Sequence, residues 1–420
     1  MSLNRDLIKM AEFARDASQR MVSLRKETKN KALRKMAAAI VGAKSLIIKA
    51  NRKDIKNAER KKLSPSMVER LMLNEKRVHE MSRSISKVSL LKDPVGTVDA
   101  FIRRPNGLLI GKMRVPIGVM LVIYESRPNV TADCAALALK SGNALILRGG
   151  KEAINSNIAI FNALAGAAEK AGIPKGAINM VKSVDRRAVS TLLGLSGLID
   201  LVIPRGGESL IRKISSHSKI PVIKHYKGVC HVFVDDEADL NMAEKIAYNA
   251  KVQRPGVCNA METLLVHEDI ACRFLPSLAK RLITAGVELR GCRKTKRILR
   301  NFRVKSAKET DWSEEYLELI LSIKAVKNLG EAIRHINRYG TSHSDAIVTE
   351  SCDHAMEFLE KVDSSAVYVN ASTRFTDGNQ FGKGAEMGIS TDKLHARGPV
   401  GVEDLTTYKY VIFGNGQVRK

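Results

Sequence analysis

The feature that most constrains this chain is a run of short apolar stretches separated by helical patterns, beginning at Gly118. Val119–Tyr124 carries no charge, and Val130–Ser141 then takes up helical spacing. Ala144–Leu147 follows as a strand and Glu152–Ala171 as a helix, ended by Gly172 and Pro174. Ile178–Val181, Ile199–Ile203 and Pro221–Ile223 read as further strands, with Arg187–Gly194 and Glu208–Ser216 as the helices between them. A sheet with one wet face would alternate polar with apolar residues. Unbroken apolar strands joined by helices need both faces covered, which means a parallel sheet in an α/β fold. Ligands of such sheets sit at the carboxyl ends of the strands.

A second alternating region runs from Val229. Its expected strands are Val229–Val234, Glu262–His267, Val287–Arg290, Leu317–Ile323, Ala346–Thr349 and Ala366–Val369. Its expected helices are Leu240–Ala250, Ile270–Ala285, Asn328–Arg338 and Asp353–Val362. Asn370–Val402 is long, polar and Gly-rich, a kind of segment that is usually functional. Leu405–Phe413 is a last strand.

Ahead of the sheets, Met1–Lys26 is an amphipathic helix, and helices continue to about Lys92. The helical spacing of Ala32, Leu33, Met36, Ala37, Ile40 and Val41 marks one buried face. Ser64-Pro65 and Asn74 are expected helix starts. Pro105-Asn106-Gly107 turns a hairpin within Gly96–Pro116, which the last strand can join. Two readings stay open for it: pairing with another chain, or packing on its own domain.

The net charge of +26 raises nucleic acid as a partner, but the basic residues are spread along the chain and aromatics are 5%. A generally basic surface, with a few arginines that bind anions, is the expectation. No apolar run reaches spanning length and no leader pattern opens the chain, so neither a membrane nor nucleic acid is expected and the expected compartment is the cytoplasm. Six cysteines without C-x-x-C spacing argue against structural zinc and a disulfide framework, and no metal is expected.

Three stretches carry chemistry. Lys251-Val252-Gln253-Arg254-Pro255-Gly256-Val257-Cys258-Asn259 delivers a cysteine to a turn with basic residues close by. Positive charge favours the thiolate, the nucleophilic form, while a small buried cysteine fits the same turn. Arg148-Gly149-Gly150-Lys151 and Arg205-Gly206-Gly207-Glu208 each place glycines between a strand and a helix. They suit a phosphate or ribose through free helix N–H groups, and equally an ordinary βα turn. Neither is G-x-G-x-x-G.

Seven blocks in order resemble one family: Tyr124–Thr131, Leu139–Asn143, Arg148–Gly150, Pro204–Gly207, His225–His231, Gln253–Asn259 and Lys393–Pro399. The chain is similar to the gamma-glutamyl phosphate reductases, a branch of the aldehyde dehydrogenase superfamily that acts in proline biosynthesis. The resemblance implies an aldehyde dehydrogenase-like fold of two Rossmann-like α/β domains plus a small β hairpin for oligomerisation. It divides the chain into an NADPH-binding domain (1–95 and 118–228), a catalytic domain (229–401) and an oligomerisation hairpin (96–117 and 402–420). The implied reaction is NADPH-dependent reduction of L-glutamyl 5-phosphate to L-glutamate 5-semialdehyde and phosphate through a Cys258 thioester. The alternative is an NAD(P)-dependent aldehyde dehydrogenase that oxidises a small aldehyde to the acid.

By the same resemblance, Asn129 joins the Cys258 N–H as an oxyanion donor, its rival role being a helix cap. Arg148 and Lys151 face the adenosine ribose and 2′-phosphate. Gly206, Gly207 and Glu208 face the pyrophosphate or adenine side. Glu315 holds the nicotinamide ribose, with Glu314 as the neighbouring rival. Arg127, Arg254 and Arg374 are candidate substrate contacts, and Glu386 and His395 are expected to shape the site. His225 stands where oxidising relatives carry a glutamate base, so water has no resident base to attack the thioester. It either contacts phosphate or is structural. A homo-oligomer is implied, with glutamate 5-kinase as a candidate partner.

Overall fold

The computed structural model describes residues 2–419; Met1 and Lys420, the ends of the expected first helix and C-terminal tail, lie outside them. The chain forms two compact units. One is Met1–Lys224 with Gly382–Gly388 and Pro399–Lys420; the other is His225–Phe381 with Ile389–Gly398. The hairpin and last strand therefore fall with the first sheet, and residues 225–228 fall with the cysteine.

The first unit opens with helices α1 (Ser2–Met21), α2 (Lys26–Gly42), α3 (Lys44–Arg60), α4 (Pro65–Leu71) and α5 (Glu75–Leu90). In α1 the buried Leu7, Ala11 and Ala14 form the stripe that packs on the sheet. In α2 Ala32, Leu33, Met36, Ala37 and Ile40 are buried as their spacing predicts, while Val41 is exposed. Asn74 caps α5 by accepting the Arg77 N–H at 2.9 Å. Ser64 caps α4 in the same way from Met67, with Pro65 in the first turn.

Strands β1 (Val98–Arg103) and β2 (Leu109–Pro116) form the expected hairpin. β2 leads into β3 (Val119–Tyr124), followed by α6 (Asn129–Lys140), β4 (Ala144–Gly149), α7 (Ile154–Glu169), β5 (Ile178–Met180), α8 (Arg187–Leu193), β6 (Leu201–Arg205) and α9 (Glu208–His217). The parallel sheet has the order β5-β4-β3-β6. All of β3 is buried, as a strand covered on both faces must be. Each such Leu, Ile or Val contributes about 2 kcal/mol relative to exposure. Pro221–Ile223 makes only a single bridge, Val222 to Val202, because Pro221 has no N–H to extend a ladder.

In the second unit the elements are β7 (Cys230–Val234), α10 (Leu240–Val252), β8 (Met261–His267), α11 (Glu268–Thr284), β9 (Glu288–Gly291), α12 (Arg293–Ile298), β10 (Val304–Ser306), β11 (Ile320–Val326), α13 (Leu329–Tyr339), β12 (Ser344–Val348), α14 (Cys352–Lys361) and β13 (Ala366–Val369). All seven strands are parallel, in the order β10-β9-β11-β8-β7-β12-β13. One face packs under α10 and α11, the other under α13 and α14. β11 starts at Ile320, three residues later than the apolar pattern suggests. Leu317 stands at φ +55 and gives its N–H to Glu262 Oε1, so it cannot enter the ladder.

After the two-residue strands β14 (Ile389–Ser390) and β15 (Gly398–Pro399), β16 (Thr406–Phe413) pairs antiparallel with β2, with Tyr408 opposite Arg114 and Ile412 opposite Ile110. The last strand thus completes the sheet β1-β2-β16. Its entrance is fixed by Asn143, which accepts the Gly118 N–H and donates to the Leu405 carbonyl, both at 2.8 Å. Among the described residues no helix is long and apolar enough to cross a membrane.

Candidate active site

Cys258 sits half-exposed in the turn between α10 and β8. Loops entering β7, β11 and β12 meet it, so this cluster lies at the amino ends of the second unit's strands. The general expectation of carboxyl-end sites fails there, because each candidate side chain comes from the loop that precedes its strand.

Gly228 sets the geometry. Its N–H donates to Glu315 Oε1 at 2.8 Å. A Cβ on it would overlap the Cys258 carbonyl oxygen and lie 2.5 Å from that carbonyl carbon and 2.6 Å from the Cys258 Cα. Only glycine lets the two backbones approach so closely. Glu315 thus turns inward to this loop, whereas its neighbour Glu314 is exposed. Below them the Cys230 thiol donates to the Cys258 carbonyl at 3.2 Å. Burial first, then Asp345 and the Cys258 sulfur, push the Cys230 pKa well up and keep it a thiol.

His225, Cys258 and His343 each place one ring nitrogen or sulfur within 4.8 Å of the others. His225 Nδ1 lies 2.9 Å from the Ile389 carbonyl, which can only accept. In the neutral ring the proton therefore sits on Nδ1, and Nε2 carries the lone pair. His343 is buried, with Nδ1 at 2.8 Å from Ser344 Oγ and 3.7 Å from Cys230 Sγ.

The positive charge around Cys258 differs from the sequence expectation. Lys251 is fully buried and its ammonium meets Glu262 Oε2 at 2.6 Å, so its charge is held by a partner. Burial pushes the Lys251 pKa down and the Glu262 pKa up, each opposing the attraction between them. Two further cations are Arg254, which is exposed, and Arg374. Burial lowers the Arg374 pKa, the Arg254 charge adds to that, and the Cys258 sulfur acts against it. A guanidinium nevertheless stays charged. Arg374 Nε donates to Gln253 Oε1 at 2.9 Å. On the other side of Cys258, the buried Asn259 amide donates to the Thr376 carbonyl at 2.8 Å, and Thr373 Oγ1 donates back to the Asn259 carbonyl at 2.8 Å. These bonds staple the cysteine turn to the turn that carries Arg374.

In the first unit the candidate residues do lie at carboxyl ends of strands. Arg127 and Asn129 follow β3, Arg148 is the penultimate residue of β4, and Gly206 follows β6. Asn129 is exposed, and its amide donates to Asp133 Oδ2 at 3.3 Å. It is the first residue of α6, where Pro128 is the cap residue, so the helix-cap reading fails. Arg127 is exposed.

Arg148 donates to the carbonyls of Gly149 and Val184, at 3.1 and 3.3 Å, and its Nε is buried without a partner. Lys151 is exposed in a short 3-10 turn that separates β4 from α7. The α7 start lacks the free N–H groups that the phosphate reading of the sequence required: the buried Asp54 carboxylate of α3 accepts the Asn155 and Ser156 N–H groups. At α9, Glu125 Oε2 accepts the Gly207 N–H at 3.1 Å, and a Cβ on Gly206 would lie 2.5 Å from Glu125 Cδ. A Cβ on Gly207 would meet nothing within 4 Å, so there is space beside this turn even though its N–H is held by Glu125. Glu208 pairs with Arg212 at 2.7 Å. Glu386 lies 4.0 Å from Arg205 in the same unit. His395, in the second unit, is exposed at φ +68.

Sequence reasoning missed His343, Asn259 and the steric role of Gly228. The last two stand inside the collinear blocks, which gave no role for them. His343 lies in Thr341-Ser342-His343-Ser344 with no motif around it, and only the adjacency of β12 and β7 brings it to the thiol.

Comparison with known proteins gives the family. The model of the aldehyde dehydrogenase family matches residues 2–291 and 303–411. A gamma-glutamyl phosphate reductase of Caldanaerobacter subterraneus subsp. tengcongensis is 58% identical over 98% of this chain and 99% of its own. One from Thermodesulfovibrio yellowstonii is 53% identical over the whole of both chains. The crystal structure of gamma-glutamyl phosphate reductase from Thermotoga maritima superposes with a TM-score of 0.96 at 48% identity, covering 99% of this chain and 100% of that one. The chain belongs to the aldehyde dehydrogenase family and, within it, to the gamma-glutamyl phosphate reductases.

Proposed function

We propose that the chain reduces L-glutamyl 5-phosphate to L-glutamate 5-semialdehyde, with release of phosphate, as an NADPH-dependent step of proline biosynthesis. The observation that carries the reading is the Cys258 turn, with two imidazoles beside the sulfur and two guanidinium groups close by. Near-full-length similarity to proteins named for this reaction supports the substrate.

In this mechanism Arg254 and Arg374 draw in the anionic substrate, and Cys258 reacts as its thiolate. The thiolate attacks the acyl carbon. The Cys258 N–H and the Asn129 amide are the proposed donors to the oxyanion, and Arg127 is a further proposed substrate contact. Phosphate leaves, with His225 Nε2 positioned to take or give a proton beside it, and a thioester remains on Cys258. The first unit suits a nicotinamide dinucleotide phosphate in two respects: the empty space beside Gly207 ahead of α9, and the orphaned Arg148 Nε next to the exposed Lys151. Arg148, Lys151, Gly206, Gly207 and Glu208 would hold it, with Glu315 at the nicotinamide ribose. When bound, it supplies the hydride that reduces the thioester carbon. Cys258 is then released as thiolate when the thiohemiacetal collapses to aldehyde.

The test is the reverse reaction: NADP+ reduction with glutamate semialdehyde, with and without inorganic phosphate. Turnover that needs phosphate or arsenate is expected. Turnover indifferent to phosphate, yielding the free acid, would instead make the chain an ordinary aldehyde oxidiser. The reading also includes self-association through the β1-β2-β16 sheet, and a kinase that supplies the acyl phosphate as a candidate partner.

A further inference from the structure

We infer that Cys258, His225 and His343 also form a reversible inhibitory site for a soft divalent cation, Zn2+, which caps the nucleophile. One ligand atom from each lies within 4.8 Å of the other two. Zinc holds nitrogen and thiolate sulfur at about 2.0–2.3 Å, so its tetrahedral ligands stand roughly 3.5 Å apart. Small side-chain rotations close the difference.

The second observation is how the rings are held. Zinc-binding histidines usually engage an oxygen through the other ring nitrogen, which fixes the ring. His225 Nδ1 meets the Ile389 carbonyl at 2.9 Å, and His343 Nδ1 meets Ser344 Oγ at 2.8 Å. Three protein ligands leave a fourth position, open to water because Cys258 is half-exposed. Binding transfers the thiol proton to solvent and leaves Cys258 as a metal thiolate, unable to attack a carbonyl. The neighbouring Arg254 and Arg374 charges disfavour a resident cation, which makes this an inhibitor site. No sequence spacing announces it, since the three ligands come from three separate loops. It stands independently of which acyl substrate the enzyme takes.

The experiment alkylates the reduced full-length chain with iodoacetamide in zinc buffered by a chelator, and follows each cysteine by mass spectrometry. Zinc should slow modification at Cys258 at least about tenfold. The exposed Cys272 and Cys352 should keep their rates, chelation should restore Cys258, and Mg2+ should do nothing. His343→Gln should raise the zinc concentration for half-protection at least about tenfold. Co2+ should give a thiolate-to-metal band in the near ultraviolet that Cys258→Ser lacks, a readout that holds even if His343→Gln fails to fold. Absence of selective protection, equal protection in folded His343→Gln, or a cobalt band that survives Cys258→Ser would overturn the proposal.

Discussion

Gly228 shows how one absent side chain positions the turn of Cys258, the proposed nucleophile. Its backbone is not in the left-handed region, so alanine meets no torsional objection there; the obstacle is the Cys258 backbone itself. Backbone cannot swing aside as a side chain can, so Gly228→Ala must push the cysteine turn away. A shift of about 1 Å at a reacting atom costs on the order of a hundredfold. Gly228→Ala is therefore expected to lower the single-turnover rate of Cys258 acylation about a hundredfold. Gly197→Ala, whose Cβ would meet nothing within 4 Å, should leave the rate unchanged. Equal rates for the two variants would remove Gly228 from this role. At this scale the sequence pointed to Cys258 as the candidate nucleophile and hid its surroundings. Cys258 announced itself through its turn and collinear blocks. Lys251 looked like an activating cation only because the Glu262 partner, one strand entry away, is invisible to a local reading of charge.

The start of α7 makes the same point for elements. A glycine-rich turn before a helix suggested free amides for a phosphate. Asp54, about a hundred residues earlier and buried, accepts the Asn155 and Ser156 N–H groups and the Ser156 hydroxyl, the last at 2.6 Å. Asp54→Ala removes a helix cap and strands buried donors, so a loss of about 2 to 4 kcal/mol is expected in the urea transition of the first unit. A loss below about 1 kcal/mol would mean that water replaces the carboxylate without difficulty. The strand–helix alternation itself was legible, because a strand covered on both faces must be apolar throughout; β3, β4 and β7 appear where their runs fall. The polar, basic stretch holding α12 and β10 carried no such signal. Nor did the true start of β11, which is set by where Leu317 gives its N–H.

For the molecule as a whole, the sheet β1-β2-β16 poses the remaining question. β16 is its outer strand, with one backbone edge unpaired in the sheet order. Tyr408, Tyr410, Ile412 and Phe413 are all exposed on it. A long apolar edge strand is a template for another chain. A second copy whose β16 or apolar face docks there would bury these rings, although two chains of charge +26 repel one another at low salt. The two contributions separate by ionic strength. Salt screens the repulsion over about 10 Å at 0.1 M and leaves apolar contact intact, so association should strengthen as salt rises. Light scattering should give a multiple of 46.2 kDa for the parent chain. Tyr410→Lys combined with Ile412→Lys places charge on the same face of β16 and should shift the mass to a single chain, with the parallel sheets intact by circular dichroism. A parent mass of 46.2 kDa at high salt would leave the edge without this partner. Association that weakens with salt would instead assign the contact to ion pairs, and the exposed tyrosines and isoleucine of β16 would need another role.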